Sequence, residues 1–324
     1  MKIADMHGDT IFMLRDKRKE GAWCELSKND LNMDIEKMQK ADYLLQNFAL
    51  FVNMGGCENP YEEAMLEYKI FVEEMEKNKD KISQVFCYED ILTNQKDGKI
   101  SALLSLEEGE MCLGKIEKLE EFYSYGARMM ALAWNFDNSL TTCNTKCAPP
   151  QPRIYEGCRA GLTETGIEFV ERMEELGMIP DVSHMSDEGI EDMLQIAKKP
   201  FVASHSNARN LCNHPRNLTD DFLKRMGEKG CVIGTNFASA FLKEDTNHSK
   251  NEWIADHILH MVNVAGIESV GFGTDFDGIS CGLEIENCSN MQTLAEVLKI
   301  RGMSETQVEH IFYKNVLRLY KELL

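Results

Sequence analysis

Short apolar runs alternate with segments of helical period along the whole chain. Eight runs read as strands: Ile3–Asp9, Tyr43–Asn53, Ile100–Glu107, Arg128–Trp134, Met178–His184, Pro200–His205, Cys231–Asn236 and Ser269–Asp275. Between them lie segments that read as helices, among them Asp30–Lys40, Glu62–Lys77, Lys115–Tyr125, Asp220–Gly227 and Asn251–Ala265. Thr163–Gly177 carries an apolar stripe at Ile167, Phe169, Val170, Met173 and Leu176, with Gly177 placed to end it. Ser186 caps a helix running to about Ala197, and Ser304–Gln307 is a capping box opening a last helix with Val308, Ile311, Phe312, Val316, Tyr320 and Leu323 on one side. Eight strands separated by helices predict an α/β fold of the (β/α)8 TIM-barrel class. A doubly wound open sheet alternates in the same way. The count of eight and the placement of polar residues favour the barrel, as one domain over residues 1–324. Asn135 to about Gly161, with Pro149, Pro150 and Pro152, reads as a long irregular loop.

Charge narrows the partners. The 324 residues hold 35 basic and 54 acidic side chains, a net charge of −19. A surface that acidic repels nucleic acid and anionic membrane, so neither is an expected partner. No run of about 18 apolar residues suggests a membrane span. Eleven cysteines with no signal peptide in evidence read as reduced thiols, so the expected location is cytoplasmic. Cys143, Cys147 and Cys158 fall in one loop, but without a CxxC pair or a neighbouring histidine they make a poor structural zinc site.

Polar residues collect where the apolar runs stop. The first run carries His7 and Asp9, two apart and therefore on one face of a strand. The others end in Glu107, His184, His205 and Asp275. Three of only eight histidines stand at these ends, in DMHGD, DVSHMS and VASHS. In a barrel all strand ends converge on one mouth, where active sites sit. Six ligands exceed one tetrahedral zinc and suit two metals about 3.5–4 Å apart that share a carboxylate. Mixed nitrogen and oxygen ligation favours zinc over manganese or iron. Glu108 and Glu110 beside Glu107 read as solvated or supporting residues, and Asp277 as a supporting residue on the face of Asp275. His257 and His260, three apart on one helix, and His214, His248 and His310 read as structural or surface residues. Gly271 and Gly273 do not open a dinucleotide loop, because Phe276 stands where a third glycine is required.

At these residues the chain resembles the membrane dipeptidase (renal dipeptidase) family, peptidase family M19, of the metal-dependent amidohydrolases. The matching stretches are DMHGDT, SLEEG, GLTETGIEFVERMEELGMIPDVSHMS, VASHSNARNLCNHPRNLTDD and ESVGFGTDFDG, spread almost end to end. The resemblance implies a (β/α)8 barrel with a binuclear zinc site. His7 and Asp9 would hold one zinc, His184 and His205 the other, and Glu107 would bridge. Asp275 would sit at the first zinc and handle the proton, and Arg216 would take the substrate's terminal carboxylate. Animal members carry a histidine after strand four that supports the oxyanion. Here Trp134 and Asn135 stand at that position and become the candidate substrate-binding groups. Animal members are also secreted, disulfide-linked and lipid-anchored, and those features are not expected here. A homodimer is implied by the same analogy.

The expected activity is hydrolysis of dipeptides with a free C-terminal carboxylate, by a hydroxide bridging two zinc ions, with Asp275 and Glu107 as catalytic residues. The same chemistry would serve a related amidohydrolase acting on N-acyl amino acids or other small carboxylate-bearing amides or esters. A barrel that binds without catalysis would lack a ligand, and none is missing.

Overall fold

The computed structural model describes residues 1–144 and 160–324. The strands are β1 (Ile3–Asp5), β2 (Tyr43–Phe51), β3 (Ile82–Gln84), β4 (Ile100–Glu107), β5 (Ala127–Ala131), β6 (Ile179–Asp181), β7 (Val202–Ala203), β8 (Val232–Thr235), β9 (His248–Ser249), β10 (Val270–Phe272) and β11 (Gly282–Leu283). Eight of them run in the order β2-β1-β10-β8-β7-β6-β5-β4, and β4 pairs back with β2 to close a parallel barrel. Seven consecutive register pairs, from Leu45 with Ser101 to Phe51 with Glu107, make that closure. The fold is the (β/α)8 barrel that the alternation predicts.

The sequence reading passed over β3 and the helix Tyr88–Lys96 after it. β3 pairs with the start of β4, Ile82 with Ile100 and Gln84 with Ala102, while β5 pairs with its end, from Leu104 onward. β9 and β11 form a separate two-residue parallel ribbon.

The barrel interior is filled from its own strands and from the C-terminal helix. Ala4, Leu45, Leu103, Met129, Ile179, Val202 and Val232 point inward, and Val316, Leu319, Tyr320 and Leu323 of the helix Asn315–Leu323 pack against them. Tyr320 is fully buried, and its hydroxyl donates to Asn47 Oδ1 at 3.0 Å, so the aromatic ring carries its polar atom inside without loss. The outer faces of the strands meet the helices. In Glu164–Leu176 the Thr163 side chain caps the Gly166 N–H, worth about 1 kcal/mol. Phe169, Val170 and Met173 are buried there at about 1.5–3 kcal/mol each, while Ile167 of the predicted stripe stays exposed. With one end plugged by apolar side chains, polar groups are left to the other end, where the strands finish.

Candidate active site

All six predicted ligands meet at the C-terminal mouth of the barrel. Glu107 is the last residue of β4, and its two oxygens face different neighbours. Oε2 lies 3.4 Å from His7 Nε2, and Oε1 lies 3.1 Å from His184 Nε2 and 3.5 Å from His205 Nε2. His7 Nε2 is also 3.5 Å from Asp9 Oδ2 and 3.9 Å from Asp275 Oδ1. Every one of the six is buried. His184 and Asp275 adopt left-handed backbone conformations, with φ of 71° and 62°. Such conformations in residues other than glycine mark positions where the surroundings force the chain to aim a side chain.

The ring nitrogens explain why these groups belong together. His184 Nδ1 lies 2.9 Å from Asn135 Oδ1, so it carries the hydrogen. Ser204 Oγ donates to Asp181 and lies 2.7 Å from His205 Nδ1, so this nitrogen also carries a hydrogen. Both Nε2 atoms therefore present lone pairs, and they face each other at 2.9 Å beside Glu107 Oε1. No proton is left for any of these contacts. His7 Nε2 and Asp9 Oδ1 are likewise buried without a hydrogen-bond partner. Converging lone pairs of this kind are stable around a cation, and the donor set fits a metal centre.

Charge inside the cluster is distributed accordingly. Burial, followed by the charge of Arg216, pushes His184 down to about 3, and burial with His7 drives His205 well below its ordinary value. Both rings are neutral, as metal ligation requires. Burial also opposes protonation of His7, but Glu107 and Asp9 outweigh it and hold His7 well above its ordinary value, so this ring carries a proton that a cation bound between the same carboxylates would displace. Burial works against ionised Glu107, but His7, His184 and His205 keep it well below the carboxylate range. Burial pushes Asp275 up to about 8, with His7 opposing and Asp9 and Glu107 adding.

A cavity of about 440 Å³ opens onto Asp9, Glu107, His184 and Asp275, and Trp134 and Asn135 line it. Phe12, Phe51 and Trp134 form one aromatic wall, with ring centroids 5.0 and 4.8 Å apart. Phe241, in the short helix Ser239–Leu242 after β8, and Ile279, in the loop after β10, also line the cavity. Arg216 is not in the lining but stands over the ring of Phe241, which is, with its guanidinium carbon 5.4 Å from the ring centre. It is buried, donating Nη1 to Ser206 Oγ at 3.2 Å and Nη2 to the His205 carbonyl at 2.9 Å. Its Nε has no partner, and among the described residues no carboxylate reaches it as an ion pair. Asp220 pairs with His260 and Asp221 with Arg225. A second cavity of similar volume shares Asn53 with the first but contains none of the ligands.

The structure decides between the readings left open for several neighbouring residues. Glu108 and Glu110 are buried rather than solvated. Glu108 takes the Trp134 N–H at 3.0 Å and the Asn138 amide, and Glu110 takes the Ser139 N–H at 2.8 Å, so both fix the loop after β5. The run of three glutamates within four residues was the signal. Asp277 accepts from the Thr10 hydroxyl at 2.6 Å and the Asn32 N–H at 2.7 Å, tying the loop after β10 to the loop and helix after β1. His257 is buried between the Ala208 N–H and the Leu242 carbonyl, a packing role. Cys143 lies in an isolated bridge with Met185, while Cys147 and Cys158 lie outside the described residues.

A closed parallel barrel with histidines and carboxylates gathered at its C-terminal mouth defines a metal-dependent hydrolase of the amidohydrolase fold. The chain belongs to the membrane dipeptidase family, peptidase family M19, whose model matches residues 1–323; this is a family of metallo-dipeptidases. An uncharacterized dipeptidase of Schizosaccharomyces pombe, C965.12, is 30% identical over 344 residues, covering 99% of this chain and 80% of that protein. The fold is shared with the metallopeptidase dipeptidase AC of family M19, at 23% identity and a TM-score of 0.90, covering 100% of this chain and 98% of the other. It is shared too with a metallopeptidase of Rhodobacter sphaeroides solved with a phosphinate mimic of the dipeptide L-Ala-D-Ala, at 21% identity and a TM-score of 0.89, covering 100% and 99%. Among the described residues no helix is long and apolar enough to cross a membrane.

Proposed function

We propose that the protein is a zinc-dependent dipeptidase with two metals per chain, acting on dipeptides with a free C-terminal carboxylate. The carrying observation is Glu107, whose oxygens face two separate sets of histidine nitrogens. His7, Asp9 and Asp275 would hold one zinc, His184 and His205 the other, and Glu107 would serve both. Zinc bound there would supply Lewis acidity, lowering the pKa of water from about 15.7 toward 7 and polarising the scissile carbonyl.

The protein's own groups do the rest. Asn236 Nδ2 anchors Asp275 Oδ2 at 2.9 Å, leaving Oδ1 to accept the proton of the attacking water and return it to the leaving amine. Arg216, a buried cation that pairs with no carboxylate among the described residues, takes the terminal carboxylate on the β7–β8 side of the mouth. The amino-terminal residue then lies toward the wall of Phe12, Phe51 and Trp134, with Trp134 and Asn135 beside the scissile carbonyl. Among the described residues the buried thiols Cys24, Cys112, Cys212, Cys231 and Cys288 agree with a cytoplasmic location, and a homodimer follows the family analogy.

The test is a substrate panel on metal-quantified protein: free dipeptides of L,L and L,D configuration, the same dipeptides capped as amides, and N-acyl amino acids. Turnover confined to free dipeptides supports the reading. Equal or faster turnover of N-acyl amino acids would assign the site to the related deacylase chemistry instead.

A further inference from the structure

Two pairs of neighbouring strands end in the same arrangement. Asp5, the last residue of β1, accepts the backbone N–H of His7 (3.2 Å) and of Thr274 (3.0 Å) on Oδ1, and the Thr274 hydroxyl (2.6 Å) on Oδ2. Asp181, the last residue of β6, accepts the N–H of Ser183 (2.9 Å) and of Ser204 (2.8 Å) on Oδ1, and the Ser204 hydroxyl on Oδ2. The offsets agree. Asp5 is in register with Phe272 and Asp181 with Val202, and each hydroxyl residue stands two beyond that partner. The residue after it is in each case a proposed ligand, Asp275 or His205.

Neither aspartate lines the substrate cavity, and neither pairs with a lysine or arginine among the described residues. Burying a carboxylate is costly, and these two are satisfied entirely by groups that fix the chain around the ligands.

The two clamps differ at one point. The Ser204 hydroxyl gives its proton to Asp181 and accepts one from His205 Nδ1, so the lone pair of His205 is fixed on Nε2. The Thr274 hydroxyl accepts instead from the Phe276 N–H at 3.3 Å, so it shapes backbone and does not touch the Asp275 side chain. Ser204 has little room to move. Its carbonyl packs so closely on Gly234 and Gly273 that a Cβ at either would come within 1.8 or 1.7 Å of it.

We infer that Asp181 and Ser204 are positioning residues that set metal affinity selectively at the His184–His205 position, through the tautomer and aim of His205. Asp5 does the corresponding task for the His7–Asp9–Asp275 position through the backbone. The inference rests on the two-metal reading of the preceding section.

The experiment is zinc titration of the metal-depleted full-length protein against a chromophoric chelator, which resolves two binding constants. His184→Ala marks the constant that belongs to the His184–His205 position. Ser204→Ala and Asp181→Asn are expected to weaken that constant by about 10–100-fold, the usual effect of losing a group that orients a histidine ligand, with the other constant held. Ser204→Thr, which keeps the hydroxyl as Thr274 does, should restore it, and Asp5→Asn should move the other constant. Ser204→Ala removes a single oxygen and decides the matter even if Asp181→Asn does not fold. A wild type that binds only one zinc overturns the two-metal reading and the inference together. A wild type with two constants, and a Ser204→Ala variant in which both fall alike or neither moves, overturns the inference alone.

Discussion

Glu107 Oε2 lies 3.4 Å from His7 Nε2 while the other oxygen of the same carboxylate is turned to His184 and His205. A carboxylate so placed faces both groups of histidine nitrogens at once, as the two-metal reading requires. Glu107→Gln keeps the volume and removes one of the two anionic oxygens. The expected outcome is weaker zinc binding at both positions, read by metal analysis after dialysis against a weak chelator. Loss of one equivalent with activity retained would mean that Glu107 does not bridge.

Arg216 separates the dipeptidase reading from wider amide or ester chemistry. A hydrogen bond to a charged group is worth roughly 1.5–3 kcal/mol, about a tenfold to hundredfold change in affinity. Arg216→Ala should therefore raise KM by that factor for free dipeptides and change little for amide-capped ones, which should already be poor substrates. Asp220 and Asp221 are engaged by His260 and Arg225, so a merely loop-holding role through them has no support in the contacts. Equal losses on capped and free substrates would remove the carboxylate clamp.

The metal-free protein should lose stability as pH rises through neutrality. Burial raises Asp275 to about 8, Glu108 to about 7, and Asp5 and Asp277 to about 6. Each keeps a proton in the folded state that the unfolded chain has already released. The folded state thus binds more protons, and stability falls as pH climbs through these values. His184, lowered to about 3, with His205 and Glu107, both held low, act in the opposite sense, but their effect is complete once the unfolded histidines deprotonate above about 6.5, whereas His7, held high, adds to the fall. The thermal midpoint of metal-stripped protein is expected to be lower at pH 8 than at pH 6.5. Zinc would displace the Asp275 proton, so its stabilising increment should be larger at pH 8. A midpoint that stays level or rises would contradict these assignments.

The barrel and the gathering of the six predicted ligands at one mouth were legible because each strand is an apolar run that stops at a polar cluster, and strand ends in this fold have one destination. The strands read too long in places. Met178–His184 forms ladder pairs only over Ile179–Asp181: the Val182 N–H still reaches the Val202 carbonyl of β7, but the Ser183 N–H turns back to the Asp181 side chain and the ladder ends. β3 was missed because Ile82–Gln84 offers a single buried apolar residue. The roles of Asp5 and Asp181 depend on register between strands far apart in sequence, which no local pattern carries. Glu108 was ambiguous for the same reason, since its partner is a backbone N–H, that of Trp134, 26 residues on. The apolar side of the last helix was readable, but not that Tyr320 enters the barrel to meet Asn47.

The most direct test of the two-metal dipeptidase account is dipeptide turnover measured while metal-free protein is titrated with zinc. The account predicts that activity is absent in the metal-free protein and reaches its maximum at two equivalents per chain. Full turnover at one equivalent, or in protein shown to contain no metal, would contradict it.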